Sequence, residues 1–262
     1  MTDCLGISLA GSSGVEVREN RFDKYYAPGN EGAFTPPSGF ATETLKLSGS
    51  SDIANADARL ISIAGSCHVA GDARCEKFDV SGSLDVDGSV TAHTVLFRGS
   101  AEIGGNLRCV GTDIKGSCSI AGSATASDCF EAQGSVSFGG SLECGELNAA
   151  GRLNAQSLRA GHVRIDGGGT IGAVTCTDAV INTGPENVPL LKLIWRRMKT
   201  VPELKIGTMV AEKNVTIGAC EVGELTTGNA SLRKGCRIGV LKYRGTLDMD
   251  DDAVVERTVR ID

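Results

Sequence analysis

A glycine recurs about every seventeen residues from Gly49 to Gly167, and this repeat constrains the fold more than any other feature. The intervals between successive marker glycines are 16, 17, 17, 17, 18, 17 and 16 residues, and a serine follows the first six. The marker glycines are Gly49, Gly65, Gly82, Gly99, Gly116, Gly134, Gly151 and Gly167. A short fixed period of this kind predicts a solenoid in which each turn packs only on its neighbours.

Apolar residues lie in pairs around each marker, and the members of a pair are two positions apart. Around Gly82 the three pairs are Phe78/Val80, Leu84/Val86 and Val90/Ala92. Side chains of a strand return to the same face every two residues, so the pattern predicts three short inward-facing strands per turn. Seventeen residues cannot hold two helices, and the apolar period is not 3.6. We therefore expect an all-β, triangular parallel β-solenoid with turns of about 17 residues.

A second small residue follows most markers after six positions and predicts a second bend in each turn. In this position stand Gly71, Gly88, Gly105, Gly122 and Gly140, with Asn55 replacing the glycine in the first turn. Glycine adopts positive φ without steric cost, so we expect these glycines to use that conformation.

The repeat divides the chain into four parts. Residues 1–40 lack it and are predicted to be flexible or irregular, and residues 41–182 are the β-solenoid. Residues 183–204 are predicted to contain a loop and a short amphipathic helix near 188–200, with Leu191, Ile194, Trp195 and Met198 on one face and Lys192, Arg196, Arg197 and Lys199 elsewhere. Residues 205–262 resume short β-like segments at a less regular spacing near nineteen or twenty, which predicts a divergent β-helix section.

The ten cysteines are interpreted as small buried hydrophobic residues. Cys75, Cys109 and Cys144 share one inward column, in which they alternate with Ala92 and Ala126. Members of this column two turns apart are separated by about 9.6 Å, beyond the Cα distance of about 7 Å that a disulfide tolerates. No CxxC motif is present, so zinc is not expected.

The sequence contains no arrangement of residues that indicates catalysis. His68, His93 and His162 occupy no repeated role, and the offsets of His68 and His93 predict outward, solvated side chains. The alternative of a hexapeptide acyltransferase-like β-helix enzyme requires turns of eighteen residues, whereas here the inward pairs are spaced 6, 6 and 5. We expect no enzyme activity, no cofactor and no metal. The acidic cluster of Asp248, Asp250, Asp251 and Asp252 lacks the pattern of a calcium loop and is interpreted as a solvated turn.

Charge and hydropathy limit the classes of partner and the cellular location that we expect. The net charge of −6 argues against a nucleic-acid-binding protein. No apolar run reaches the 18 or so residues of a membrane span, and no signal peptide is evident. We expect a cytoplasmic protein, with membrane association through residues 188–200 as an alternative.

Two groups of residues carry a resemblance to a known family. The first consists of Leu45–Ser50 (LKLSGS) and Phe78–Ser83 (FDVSGS), and the second is Gly228–Gly239 (GNASLRKGCRIG), continuing through Val240–Leu247 (VLKYRGTL). Together they resemble the bactofilins, a family of polymer-forming bacterial cytoskeletal proteins. The likeness covers about 41–262. It implies a right-handed triangular β-helix that assembles end to end into non-polar filaments without nucleotide. The helical insertion and the divergent end section are departures from the best-studied type, which has one uninterrupted β-helix.

The ends of a β-solenoid give a physical reason for self-association. A terminal turn presents unpaired N–H and C=O groups above an apolar layer, so it must be capped or used as a contact. We expect self-contact at an end turn near Leu45, Leu47 and Ile53 or in the C-terminal section, with the protein itself as the main partner. The second hypothesis is an adaptor whose segment 188–200 contacts a membrane surface or another scaffold protein. The alternative for this segment is packing on the solenoid.

Overall fold

A computed structural model describes residues 37–182 and 204–262 of the chain. These residues form one 12-stranded sheet, and they contain no helix. The strands are β1 (Thr42–Ile53), β2 (Ala56–Val69), β3 (Ala73–Val86), β4 (Val90–Ile103), β5 (Leu107–Ile120), β6 (Ala124–Phe138), β7 (Ser141–Ile181), β8 (Leu204–Ile217), β9 (Cys220–Leu232), β10 (Arg237–Tyr243), β11 (Leu247–Met249) and β12 (Val254–Arg260). Most of the predicted N-terminal segment and the helix predicted near 188–200 lie outside the described residues.

Each strand pairs in parallel with the equivalent strand one turn along the chain. Gly65 pairs with Gly82, and Gly82 pairs with Gly99, so the marker glycines form a continuous column. The neighbours in the sheet follow chain order from β1 to β10, as expected when every turn stacks directly on the previous one. The predicted parallel β-solenoid is confirmed.

The predicted inward pairs form the core. Phe78, Val80, Leu84 and Val86 are at most 3% exposed. Edge-on aromatic contacts join different turns, with a ring-centroid distance of 5.6 Å between Phe78 and Phe97. Because the wall is a single layer of strands, alternation along each strand alone decides which side chains enter this core.

The marker glycines are required by both conformation and stacking. Gly99 has a φ of 125°, and a Cβ atom there would overlap the carbonyl oxygen of Gly82 in the previous turn. The last turn before the chain leaves the described region differs from the expectation. Positive φ occurs at Gly169, two residues after the predicted marker Gly167.

The prediction that the second glycines adopt positive φ is wrong. None of the five has a φ in that region, yet a Cβ at Gly88 would lie 2.6 Å from the carbonyl oxygen of Gly71. Close approach of successive turns therefore explains glycine at these positions. Beside them, Asp72 Oδ1 accepts a hydrogen bond of 2.7 Å from the backbone N–H of Ser89, and Asn55 plays the same role for Asp72.

The C-terminal section continues the same solenoid. β8 stacks directly on β7, with Ile171 paired to Ile206. The spacing of nineteen or twenty inferred from the sequence is wrong, because Leu204 pairs with Cys220, sixteen residues later, and Val215 pairs with Ala230, fifteen residues later. These turns contain fewer glycine markers, so their length is evident only from the register of the strands.

A polar side chain lies among the inward-facing residues of the core. Thr112 pairs with Val95 on one side and Phe130 on the other, and it is fully buried. Its hydroxyl has no hydrogen-bond partner in the described part of the chain. A buried hydroxyl without a partner costs stability because its hydration is lost without compensation.

We expect Thr112→Val to raise the free energy of unfolding by about 1–2 kcal/mol, because it keeps the β-branched shape and removes the unpaired hydroxyl. The denaturation midpoint in urea measures this change. Thr91→Val, at a half-buried outward position on β4, is the matched control and should change stability by less than about 0.5 kcal/mol. A loss of stability in Thr112→Val would show that the hydroxyl is satisfied in solution.

Candidate functional site

The N-terminal end of the solenoid is an incompletely covered layer of the core. Leu45 and Leu47 pair with Ile61 and Ile63 of the next turn. Ile61 and Ile63 are at most 2% exposed, whereas Leu45 and Leu47 are only partly buried, although both pack against the core. Ile53 has the same relation to the fully buried Val69. The structure thus brings the three predicted residues together in the first turn.

The backbone of β1 is also incompletely paired. An interior strand of the solenoid has a parallel neighbour on both sides, but within residues 37–182 and 204–262 the only neighbour of β1 is β2. An edge strand with unpaired N–H and C=O groups is a template for a further strand. Apolar surface and unpaired backbone therefore coincide at this end.

The C-terminal end is open in a similar way but is more polar. β12 pairs with β10, and the short β11 pairs with β9. Met249 and Val254 are 49% and 52% exposed, while Leu247 and Val255 are partly buried against the core. The acidic turn beside this end is solvated as predicted, with the side chains of Asp248 and Asp252 68% and 60% exposed, and it makes surface ion pairs such as Asp248 Oδ2 to Arg233 Nη1 at 3.1 Å.

The other predicted contact residues lie in the helix expected near 188–200, outside the described residues. They are Leu191, Ile194, Trp195, Met198, Lys192, Arg196, Arg197 and Lys199.

The serines that follow the marker glycines line a shallow groove of about 590 Å³ on the outside of the solenoid. His68 stands on its wall, with Nδ1 3.5 Å from Asp52 Oδ1 and Nε2 3.4 Å from Asp87 Oδ2. The hydrogen bond to Asp87 and the surrounding carboxylates raise the pKa of His68 above its usual value. The carboxylates of the neighbouring turns therefore favour the protonated form of His68, which lies within ion-pair distance of Asp52 and Asp87.

The same groove contains the group of described residues best placed to hold a metal ion. Ligand atoms of His68, Asp85 and Asp87 all lie within 4.8 Å of one another. Sequence reasoning missed this cluster because it considered each histidine alone. The available signal was the seventeen-residue offset, which places His68 directly beside Asp85. Protonation of His68, which these carboxylates favour, competes with metal binding, and the contacts of His68 with Asp52 and Asp87 account for the cluster without an ion.

The prediction that His93 is a solvated surface residue is wrong. Only 9% of the His93 surface is exposed. His162, by contrast, is exposed, and its Nδ1 lies 3.7 Å from Asp178 Oδ2, within ion-pair distance. Alternation places His93 on the outer side of β4, as predicted, so its burial does not come from the core. Neighbouring outward side chains, including Leu96, are buried as well.

The nine described cysteines are all buried, which confirms their interpretation as small hydrophobic residues. Ala126 pairs with both Cys109 and Cys144, as expected for the predicted column. Burial raises the pKa of Cys118 and Cys144 to about 12, so both are protonated at neutral pH. A nucleophilic cysteine requires the opposite shift.

No family model, curated protein or solved structure matches the chain. The described residues contain no helix that is long and apolar enough to span a membrane. The geometry of the ends, of the groove and of the outer wall is therefore the basis for assigning a function.

Proposed function

We propose that this protein is a non-enzymatic, bactofilin-like cytoplasmic scaffold that assembles end to end with copies of itself. Its assemblies are filaments or closed oligomers, and its solenoid is a right-handed, three-sided prism. Three inward pairs in each turn support the three-sided shape. The resemblance of Leu45–Ser50 and Gly228–Gly239 to the family supports the handedness and the filament.

The half-exposed layer of Leu45, Leu47 and Ile53 on the incompletely paired strand β1 is the observation that carries this proposal. A second copy placed on this end would bury these side chains as the first and third turns together bury Ile61, Ile63 and Val69 of the second turn. Completing the burial of a half-covered leucine contributes about 1 kcal/mol, and each new backbone hydrogen bond contributes about 1 kcal/mol. Because the contact joins identical units and leaves another end open, it propagates into a fibre unless the geometry closes.

The groove and the buried thiols support a structural role over an enzymatic one. Neighbouring carboxylates raise the pKa of His68 and favour its charged form, in which the imidazole cannot accept a proton as a general base. The described cysteines for which burial raises the pKa are protonated thiols, so they are poor nucleophiles.

Charge substitutions on β1 test the proposal. Leu45→Lys/Leu47→Lys places two cations in the contact layer, while Ser48→Lys places one on an exposed outward position of the same strand and serves as the control. We expect the wild-type protein and Ser48→Lys to form large assemblies in sedimentation velocity and negative-stain microscopy, and we expect the double variant to lose them. Circular dichroism and the denaturation midpoint verify that the double variant is folded.

The size of the remaining species distinguishes the symmetry of the contact. Dimers of the double variant indicate that like ends pair with like ends, as in a non-polar filament, because the C-terminal ends remain functional. Monomers indicate head-to-tail pairing of unlike ends. Unchanged assemblies in the folded double variant would exclude the β1 end, and a strictly monomeric wild-type protein at high concentration and physiological salt would refute the proposal.

A further inference from the structure

A group of outward side chains on β4, β5 and β6 is buried although it does not belong to the core. Leu96, Val110 and Cys129 are 4%, 4% and 1% exposed, yet none of them is part of the continuous hydrophobic core. His93 and Glu131 beside them are each 9% exposed. We call His93, Leu96, Val110, Asp128, Cys129 and Glu131 the outer patch.

The outer patch is continuous across three turns of the wall. In register, Leu96 lies beside Asp113, which in turn lies beside Glu131. Gly111, which has no side chain, lies between Thr94 and Cys129. The wall here is a single layer, and the described strands contact the strands of adjacent turns, so no described strand lies over the patch. Outward apolar side chains on such a wall are buried only if another segment covers them.

We propose that the segment 183–203 of the same chain docks on the outer patch, with the apolar face predicted for Leu191, Ile194, Trp195 and Met198 against Leu96 and Val110. This contact is independent of the proposed end-to-end assembly, because the patch is on the wall and not at an end. It makes the basic segment a clamp on the solenoid rather than an anchor for a membrane.

The points where the chain leaves and re-enters the solenoid lie on the same wall as the patch and within reach of it. Asn182 donates its backbone N–H to Ile165, and Leu204 pairs with Gly169, so the segment leaves and returns at one bend of one turn. Val180, just before this bend, lies on the same wall as Glu131 but three turns later in the solenoid. The distance between these two residues is about 14 Å. Residues 183–187 can span about 16 Å, and a helix over 188–199 would be about 18 Å long.

Charge favours this segment over the other undescribed part of the chain. The patch and its surroundings contain Asp113, Asp128 and Glu131, and Asp113 Oδ1 is buried with no hydrogen-bond partner in the described ranges. Residues 190–199 contain four basic residues and no acidic residue. Residues 1–36 contain five acidic and three basic residues, so they complement an acidic surface poorly.

Trp195 is the only tryptophan of the chain, so its fluorescence reports directly on the segment. Glu131→Lys reverses a charge in the patch without entering the core. Glu102→Lys makes the same charge change at an exposed outward position of β4 and is the matched control. The measurements are Trp195 emission, its quenching by acrylamide, and the rate of tryptic cleavage in the full-length protein.

We expect Glu131→Lys to shift Trp195 emission to longer wavelength, to increase quenching, and to raise cleavage after Arg196, Arg197 and Lys199 about tenfold, because proteolysis follows the population of the open segment. Glu102→Lys should leave all three unchanged. Leu96→Ser provides a second, uncharged variant with the same expected direction. The denaturation midpoint verifies that both patch variants remain folded.

Other occupants of the patch give different results. Increased cleavage after Arg18, Arg21 and Lys24 instead would assign the patch to the N-terminal segment. Wild-type Trp195 emission that shifts only on addition of anionic lipid vesicles, or only with rising protein concentration, would assign the basic segment to a membrane or to a second copy. Each of these results, and an unchanged Trp195 signal in both patch variants, would overturn the proposal.

Discussion

Gly99→Ala is expected to lower the free energy of unfolding by about 4 kcal/mol, enough to unfold the protein or make it insoluble. At a φ of 125° this residue lies in a region that side chains rarely adopt. In addition, the Cβ atom of the new alanine would overlap the carbonyl oxygen of Gly82 in the previous turn. Relief requires two turns to separate, which weakens every backbone hydrogen bond between them.

Gly39→Ala is the matched control for this substitution. Gly39 also has positive φ, at 68°, but no atom lies within 4 Å of the position that its Cβ would take. Only the conformational cost applies there, and we expect a loss of about 1 kcal/mol. Denaturation midpoints and the soluble fraction of each variant measure the difference. Equal effects of the two substitutions would show that the stacking of turns is not the limiting factor at Gly99.

Asn182→Ala is expected to cost about 3–4 kcal/mol, because the side chain of Asn182 holds together the bend where the chain leaves the solenoid. Asn182 is 4% exposed and has a φ of 47°. Its Oδ1 accepts a hydrogen bond of 2.7 Å from Gly167 N–H, and its Nδ2 donates bonds of 2.8 Å and 3.2 Å to the carbonyl oxygens of Gly167 and Ala219. Alanine leaves these buried backbone groups unpaired and still has to adopt positive φ.

Asn182→Gly separates the two contributions. Glycine adopts positive φ without strain but also loses the three hydrogen bonds, so it should recover only about 1 kcal/mol relative to alanine. Denaturation midpoints measure the loss of stability, and hydrogen exchange of the Gly167 amide reports on the bend itself. Full recovery in Asn182→Gly would mean that the backbone conformation matters and the side-chain hydrogen bonds do not.

The candidate sites were predictable from the sequence to different degrees. The end residues Leu45, Leu47 and Ile53 were predictable because they belong to the first sequence repeat, and β1 is the first strand of the described sheet. The cluster of His68 with Asp85 and Asp87 was missed, since its members come from successive turns and meet only through the register of the sheet. The outer patch was also missed, and the burial of His93 contradicts its expected exposure.

The sequence by itself determined the solenoid, the inward pairs and the buried cysteine column. Each of these follows from alternation along a strand and from a fixed period, which are local properties of the chain. Only the tertiary structure decided which glycines adopt positive φ, that Asn182 adopts it as well, and that the C-terminal turns are as short as the others. It also decided which outward side chains are covered, because the close approach of turns and the cover of a wall depend on residues far apart in the sequence.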